Sequence, residues 1–136
     1  MWAPAQSVQT FELLLLLNHH IYTTISYEKR DEEGVQSSLI TVTKSKGSCR
    51  DLANLFIDTA RNLGFAARFV SGYVYTKDSP VLPGTTHAWA EVFIPGAGWK
   101  GFDPTHGSLA GANHIAVAVS RLPELVPPIS GAFRGQ

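Results

Sequence analysis

The chain has 136 residues, 44% of them hydrophobic, and its 11 basic and 11 acidic side chains leave no formal net charge. This length predicts a single domain over residues 1–136, and the composition excludes an intrinsically disordered chain. Zero net charge produces no field that would attract nucleic acid or an anionic membrane, so we expect neither as a partner. A single cysteine excludes an internal disulfide and an all-cysteine zinc site.

The first strong pattern is an apolar helix over residues 10–20. It contains five consecutive leucines and is apolar on every face, which predicts a mostly buried helix. The segment has no basic flank and no cleavage site, and it is shorter than the ~20 residues of a membrane span. We therefore expect a cytoplasmic domain, either free-standing or cut from a longer chain.

Two weaker segments follow this helix. Residues 28–34 form a charged loop that ends in glycine, and we interpret the loop as solvated. Residues 37–46 contain the apolar side chains Leu39, Ile40 and Val42, a pattern that fits a strand or a helix equally well.

The segment after Gly47 has the clearest helical pattern in the chain. Ser48 is the predicted N-cap, Asp51 completes a capping box, and Gly64 is placed to end the helix. Cys49 therefore lies in the first helical turn. The apolar or small residues of the stripe are at positions 49, 52, 53, 56, 60 and 63.

The second half of the chain predicts antiparallel strands. Gly72 is expected at a bulge, residues 95–98 are expected to connect a hairpin, and the proline-rich tail is expected to lie over the surface. Because a helical part precedes a run of strands, the pattern predicts an α+β domain. The strands are predicted at 65–75, 87–94 and 99–103, and 114–119 is a further candidate.

The helix that begins at Cys49 suits a nucleophilic thiol. Backbone N–H groups at a helix N-terminus stabilise a thiolate, and they also stabilise the oxyanion that forms during acyl transfer. His87 alone among the histidines begins a clear strand, and Asp103 lies across the hairpin from it. Side chains alternate along strands, so His87 and Asp103 share a face only if the hairpin loop is odd or bulged. The glycines favour an odd loop, for example residues 96–98.

Each of these residues also has a purely structural interpretation. A lone cysteine in an apolar stripe is often a packed hydrophobe, and an aspartate before proline often caps a turn. The aromatic side chains Trp89, Phe93 and Trp99 are interpreted as core rather than as a substrate platform.

Sequence spacing gives no sign of a cofactor or a metal. His19, His20, His106 and His114 lack the spacing of metal ligands, and no acidic calcium loop or glycine-rich phosphate loop occurs. We therefore predict that the domain holds no metal and requires no cofactor.

Four segments in order resemble one known family, the bacterial transglutaminase-like superfamily, which is also described as archaeal-type cysteine protease-like. These segments are 47–53 (GSCRDLA), 67–73 (ARFVSGY), 87–92 (HAWAEV) and 98–105 (GWKGFDPT). The resemblance implies a papain-like cysteine proteinase fold, in which a cysteine-bearing helix packs on an antiparallel sheet. It also implies that Cys49 is the nucleophile, His87 its general base and Asp103 the acid that orients the histidine. The implied substrate is a peptide or side-chain amide of a protein, cleaved through a thioester.

The sequence also departs from this family. His106 stands where many relatives have asparagine, and Leu122 stands where many have aspartate. Enzymes of the animal type use an upstream tryptophan to hold the oxyanion, a position for which Tyr22 and Tyr27 are the candidates here. Full-length relatives carry a β-sandwich before this domain, which we expect this chain to lack. Two alternatives to hydrolysis are protein cross-linking and a catalytically inactive protein-binding module.

Overall fold

The computed structural model describes residues 4–30, 34–75 and 85–121 of the chain. Helices come first and the long strands follow, which confirms the α+β class. The helices are α1 (Pro4–Thr24), α2 (Ser38–Lys44) and α3 (Cys49–Asn62). The strands are β1 (Ser26–Tyr27), β2 (Lys46–Gly47), β3 (Ala67–Val74), β4 (Thr85–Ile94), β5 (Gly98–Asp103), β6 (Ser108–Leu109) and β7 (His114–Ser120).

The main sheet is antiparallel throughout and has the strand order β6-β5-β4-β3-β7. The predicted bulge is confirmed, because the β3–β7 register shifts between Ser71 and Gly72. A Cβ atom at Gly72 would lie 2.1 Å from the carbonyl oxygen of Ile115. Glycine is therefore required here for the two backbones to approach each other.

The hairpin between β4 and β5 has an odd loop. Ile94 pairs with Gly98, which leaves the three residues 95–97 as the loop, one position earlier than the example considered above. Gly98 has a φ of +87°, a backbone conformation that favours glycine. Because the register keeps odd-numbered residues together, His87 and Asp103 share one face of the sheet.

Helix α3 supplies the centre of the core and packs against the sheet. The middle of its apolar stripe, from Leu52 to Ala60, is buried, whereas Leu63 at its end is 51% exposed. The Phe56 ring stacks on Phe102 of β5 at 5.1 Å. Full burial of one such side chain stabilises the fold by about 1.5–3 kcal/mol. Leu63 caps the helix and Gly64 follows with a φ of +98°, which confirms the predicted end.

Helix α1 is longer and less buried than predicted. It begins at Pro4 rather than near residue 10. Leu14 and Ile21 are buried, but Leu13 is 45% exposed and Leu16 is 68% exposed. The prediction of an interior helix is therefore wrong, because only one side of α1 packs against α3 and the sheet.

The segment 37–46, whose sequence fits a strand or a helix equally well, contains helix α2. The N-cap Ser37 accepts a hydrogen bond from the backbone N–H of Ile40.

The three aromatic side chains assigned to the core have different surroundings. Trp89 is buried as predicted, but Phe93 and Trp99 are about 40% exposed, so their assignment to the core is wrong. They pack edge to face on each other at the surface.

The proline-rich tail from 122 to 136 lies outside the described residues. Within the described ranges, no helix is long and apolar enough to cross a membrane.

Candidate active site

The N-terminus of α3 has the predicted capping box. The Ser48 hydroxyl accepts a hydrogen bond from the Asp51 backbone at 3.3 Å, and the Asp51 carboxylate accepts one from the Ser48 backbone at 2.8 Å. A Cβ atom at Gly47 would lie 2.8 Å from Cβ of Asp51, so a larger residue would displace the cap. Cys49 is partly buried in the first helical turn, where backbone N–H groups have no intrahelical partner.

Asp51 does more than cap the helix. Its buried carboxylate accepts hydrogen bonds from Nε and Nη2 of Arg30 at 2.5 and 2.9 Å and from the Gln36 backbone at 2.7 Å. Burial raises the pKa of Asp51, but hydrogen bonds from Arg30 and the backbone outweigh burial and hold it below its ordinary value. The interpretation of the 28–34 loop as merely solvated is therefore wrong for Arg30, which ties this loop to the cysteine helix.

His87 connects Cys49 and Asp103. Its Nε2 atom lies 2.9 Å from Oδ2 of Asp103, and the Cys49 thiol lies close enough to the same imidazole to raise its pKa. Since Nε2 faces the carboxylate, Nδ1 is the ring nitrogen that remains for the thiol. Burial lowers the pKa of His87, but hydrogen bonds to Asp103 and Cys49 outweigh this effect and raise it to about 9. The structure thus brings together the three residues singled out from the sequence.

Asp103 is contacted by two further histidines. His106 Nδ1 lies 2.8 Å from its Oδ2 atom and His114 Nε2 lies 2.9 Å from the same atom. Burial raises the pKa of Asp103, but hydrogen bonds from His87, His114 and His106 outweigh burial and hold it well below the ordinary range. Three imidazoles therefore share one oxygen of a fully buried carboxylate.

Sequence spacing does not reveal this histidine cluster. His87 lies near the start of β4, His106 lies in the turn after β5, and His114 is the first residue of β7. Only His106, three residues after Asp103, is close to the carboxylate along the chain.

The tautomer of His114 is set by the backbone. The Gly111 N–H donates to Nδ1 of His114 at 3.1 Å, so in the neutral ring the proton is on Nε2 and is donated to Asp103. The His114 ring also packs edge to face on Trp89 at 4.9 Å between ring centres. Trp89 is therefore both a core residue and a wall of the histidine cluster.

The two tyrosines considered as substitutes for the upstream tryptophan have different surroundings. Tyr27 pairs opposite Gly47, two residues before the cysteine, and burial and the nearby Cys49 raise the pKa of its hydroxyl. Tyr22 instead packs against Gly107, where a Cβ atom would lie 2.6 Å from the tyrosine ring. Of the two tyrosines, Tyr27 is thus the one that lies near the thiol.

Comparison with known sequences identifies one family and relatives from two mycobacteria. The family model of the transglutaminase-like superfamily matches residues 4–104. An uncharacterized protein of Mycobacterium tuberculosis is 36% identical over 132 residues, which cover 88% of this chain and 41% of that protein. An uncharacterized protein of Mycobacterium leprae is 33% identical over 108 residues, which cover 76% of this chain and 38% of that protein. The chain thus spans about two fifths of the length of these relatives.

Comparison with solved structures supports the same assignment. A Cytophaga hutchinsonii protein described as a "Putative Cysteine Protease" has a TM-score of 0.70 and 28% identity, covering 83% of this chain and 37% of that one. Calcium-bound LapG of Legionella pneumophila has a TM-score of 0.65 and 14% identity, covering 81% of this chain and 65% of that one, and supports the fold alone. With a family match over most of its length and the expected cysteine-protease-like fold, the chain belongs to the transglutaminase-like superfamily.

Proposed function

We propose that the domain cleaves or transfers amide bonds of proteins or peptides through a thioester on Cys49. One observation carries this proposal. A single imidazole, that of His87, lies near a thiol at a helix N-terminus, which raises its pKa, and contacts a fully buried carboxylate at 2.9 Å. A nucleophile, a base and a group that orients the base are the parts that thiol catalysis requires.

The reaction begins with proton transfer from the Cys49 thiol to Nδ1 of His87. The thiolate attacks the amide carbonyl carbon and forms a C–S bond, and the carbonyl electron pair moves onto oxygen. When the intermediate collapses, the C–N bond breaks and the imidazolium returns its proton to the leaving amine. Water or a second amine then attacks the thioester and releases the cysteine.

The surroundings of Cys49 and His87 favour this sequence of steps. Asp103 accepts the hydrogen bond from Nε2 of His87, which holds Nδ1 toward the thiol and stabilises the imidazolium. The raised pKa of His87, about 9, favours the thiolate–imidazolium pair that the first proton transfer produces as the resting form at neutral pH. The backbone N–H of Cys49, at the start of α3, is the proposed donor to the oxyanion.

The rate of Cys49 alkylation by iodoacetamide as a function of pH tests the proposal. A free thiol with a pKa of about 8.5 is only about 0.3% ionised at pH 6. We expect the wild-type rate to stay high at pH 6, and the His87→Ala variant to react roughly 100-fold more slowly there. A matched His20→Ala variant, which removes an exposed imidazole from α1, should behave like wild type. A wild-type rate that falls off like that of a free thiol would contradict the proposal.

The fate of the thioester is tested separately. A glutamine-containing peptide is incubated with a labelled primary amine, and both ammonia release and label incorporation are measured. Ammonia or peptide fragments without incorporated label indicate hydrolysis, and incorporated label indicates cross-linking. No turnover of any amide despite a reactive thiol would favour the inactive binding module.

A further inference from the structure

We infer that the histidine cluster is an inhibitory binding site for a transition-metal cation of the Zn²⁺ class. The proposed ligands are Nε2 of His87, Oδ2 of Asp103 and Nδ1 of His106, which all lie within 4.8 Å of one another. Cation binding is independent of catalysis, whereas the inhibitory effect rests on the proposed role of His87.

The spacing of these atoms is close to that of a coordination shell. Ligands bound to tetrahedral zinc at about 2.0–2.2 Å lie roughly 3.3–3.5 Å apart. The two histidine nitrogens are 2.8–2.9 Å from the carboxylate oxygen, so each nitrogen–oxygen pair needs to open by only about half an ångström. The two nitrogens, which lie within 4.8 Å of each other, need to approach by at most about 1.5 Å. Two imidazoles and one carboxylate form a ligand set that suits zinc far better than calcium.

The cluster is exposed to solvent on one side and buried on the other. The His106 side chain is 53% exposed, so a cation can enter beside it and keep a water molecule as a fourth ligand. His87 and His114 are about nine-tenths buried.

His114 would support the site without being a ligand. Its Nδ1 atom accepts from the Gly111 backbone, and its Nε2–H donates to the carboxylate of Asp103. A hydrogen bond of this kind orients a ligating carboxylate, and its loss commonly weakens metal binding by about 10–100-fold.

Metal binding has a direct chemical consequence for His87. A cation on Nε2 of His87 replaces the proton that this nitrogen donates to Asp103. The proton on Nδ1, which faces Cys49, remains, but a metal-bound neutral ring is a much weaker acid than the imidazolium that returns this proton to the leaving amine. The metal-bound protein therefore keeps its fold and loses its general acid, and a chelator restores it.

Zinc binding is measured with the untagged chain carrying Cys49→Ser, so that the thiol cannot bind the metal itself. Competition against a chromophoric zinc chelator should give one equivalent of bound zinc, and calcium should not compete. Adding His106→Ala should weaken zinc binding at least tenfold, whereas His19→Ala/His20→Ala, which removes two exposed imidazoles of α1, should leave it unchanged. Circular dichroism checks that each variant is folded.

Two results would overturn the site itself. One is no binding below roughly 1 mM zinc, and the other is binding that is lost in the His19/His20 double variant and retained in His106→Ala. The inhibitory effect is tested on wild-type protein by amide turnover at pH 7, which zinc should slow and a chelator should restore, and the His106→Ala variant should need at least tenfold more zinc for the same inhibition. Bound zinc with unchanged turnover would overturn the inhibition. Failure of the catalytic proposal appears instead in metal-free protein, as a thiol that is indifferent to His87→Ala.

Discussion

Asp51 and Asp103 are both fully buried carboxylates, and hydrogen bonds hold the pKa of each below its ordinary value. Their partners differ in kind. Asp51 is bound by Arg30, whose charge is permanent, together with backbone N–H groups. Asp103 is bound by three imidazoles, side chains that exist in both a neutral and a charged form. The comparison indicates that Asp51 is a structural clamp, whereas Asp103 belongs to a cluster that can exchange protons.

The Asp103→Asn variant should show the largest effect, and this effect should be a loss of amide turnover. The amide keeps the shape of the side chain but removes the charge that stabilises the His87 imidazolium. We expect amide turnover to fall by about 10²–10⁴-fold, with a smaller loss of stability. The measurement is turnover together with chemical denaturation of the same preparation. Unchanged turnover would remove Asp103 from the proposed mechanism.

Asp51→Asn should have the opposite profile. It removes the buried charge that the largely buried Arg30 side chain hydrogen-bonds, for which the expected cost is about 3–5 kcal/mol in the free energy of unfolding. The matched control is Asp58→Asn on the same helix, where a partly exposed carboxylate contacts Ser38 and the expected cost is about 1 kcal/mol. Urea denaturation of both variants checks the difference, and equal costs would refute the assignment of Asp51 as a clamp.

The regions around Asp103 and Asp51 should also differ in how their contributions to stability depend on pH. The folded pKa of His87, about 9, lies above its ordinary value, so its stabilising effect is complete below about pH 6.5 and is lost as pH rises through about 9. Asp51 and Asp103 have lowered pKa values, so their contribution is present above about pH 3.9 and is lost as pH falls.

Thermal unfolding of wild type and His87→Gln between pH 6 and pH 10 tests the alkaline part of this prediction. The Tm of wild type should fall by about 5 °C more than that of the variant over this range. Parallel curves for the two proteins would show that His87 does not carry the effect.

His114→Gln should have the smallest effect of the four. It removes the imidazole that donates to Asp103 and packs on Trp89. A hydrogen bond to a charged group contributes about 1.5 kcal/mol, so the alkylation rate of Cys49 at pH 6 should fall about tenfold. His114→Phe keeps the ring contact and removes the donor, and it should show the same loss. If the alkylation rate falls only in His114→Gln, the contact with the Trp89 ring supports the reactivity of Cys49 and the hydrogen bond to Asp103 does not.

Local pattern was sufficient to predict several elements of the fold. The stripe of α3, its Ser48–Asp51 capping box and its end at Gly64 are set by neighbours within four residues. The strands and the bulge beside Gly72 follow from residue type and from the absence of a side chain there. Helix α1 was harder, because five leucines in a row give no periodicity and exposure of Leu13 and Leu16 depends on what packs beside them.

By itself, the sequence determined that Cys49 begins a capped helix and that His87 and Asp103 lie on two strands of one hairpin. It also set the condition that the hairpin loop be odd. Only the tertiary structure decided that residues 95–97 form that loop, that Arg30 returns to Asp51, and that His106 and His114 converge on Asp103. The physical reason is range: caps and strand alternation act between near neighbours in the chain, whereas a buried carboxylate acquires its partners only when distant elements pack around it.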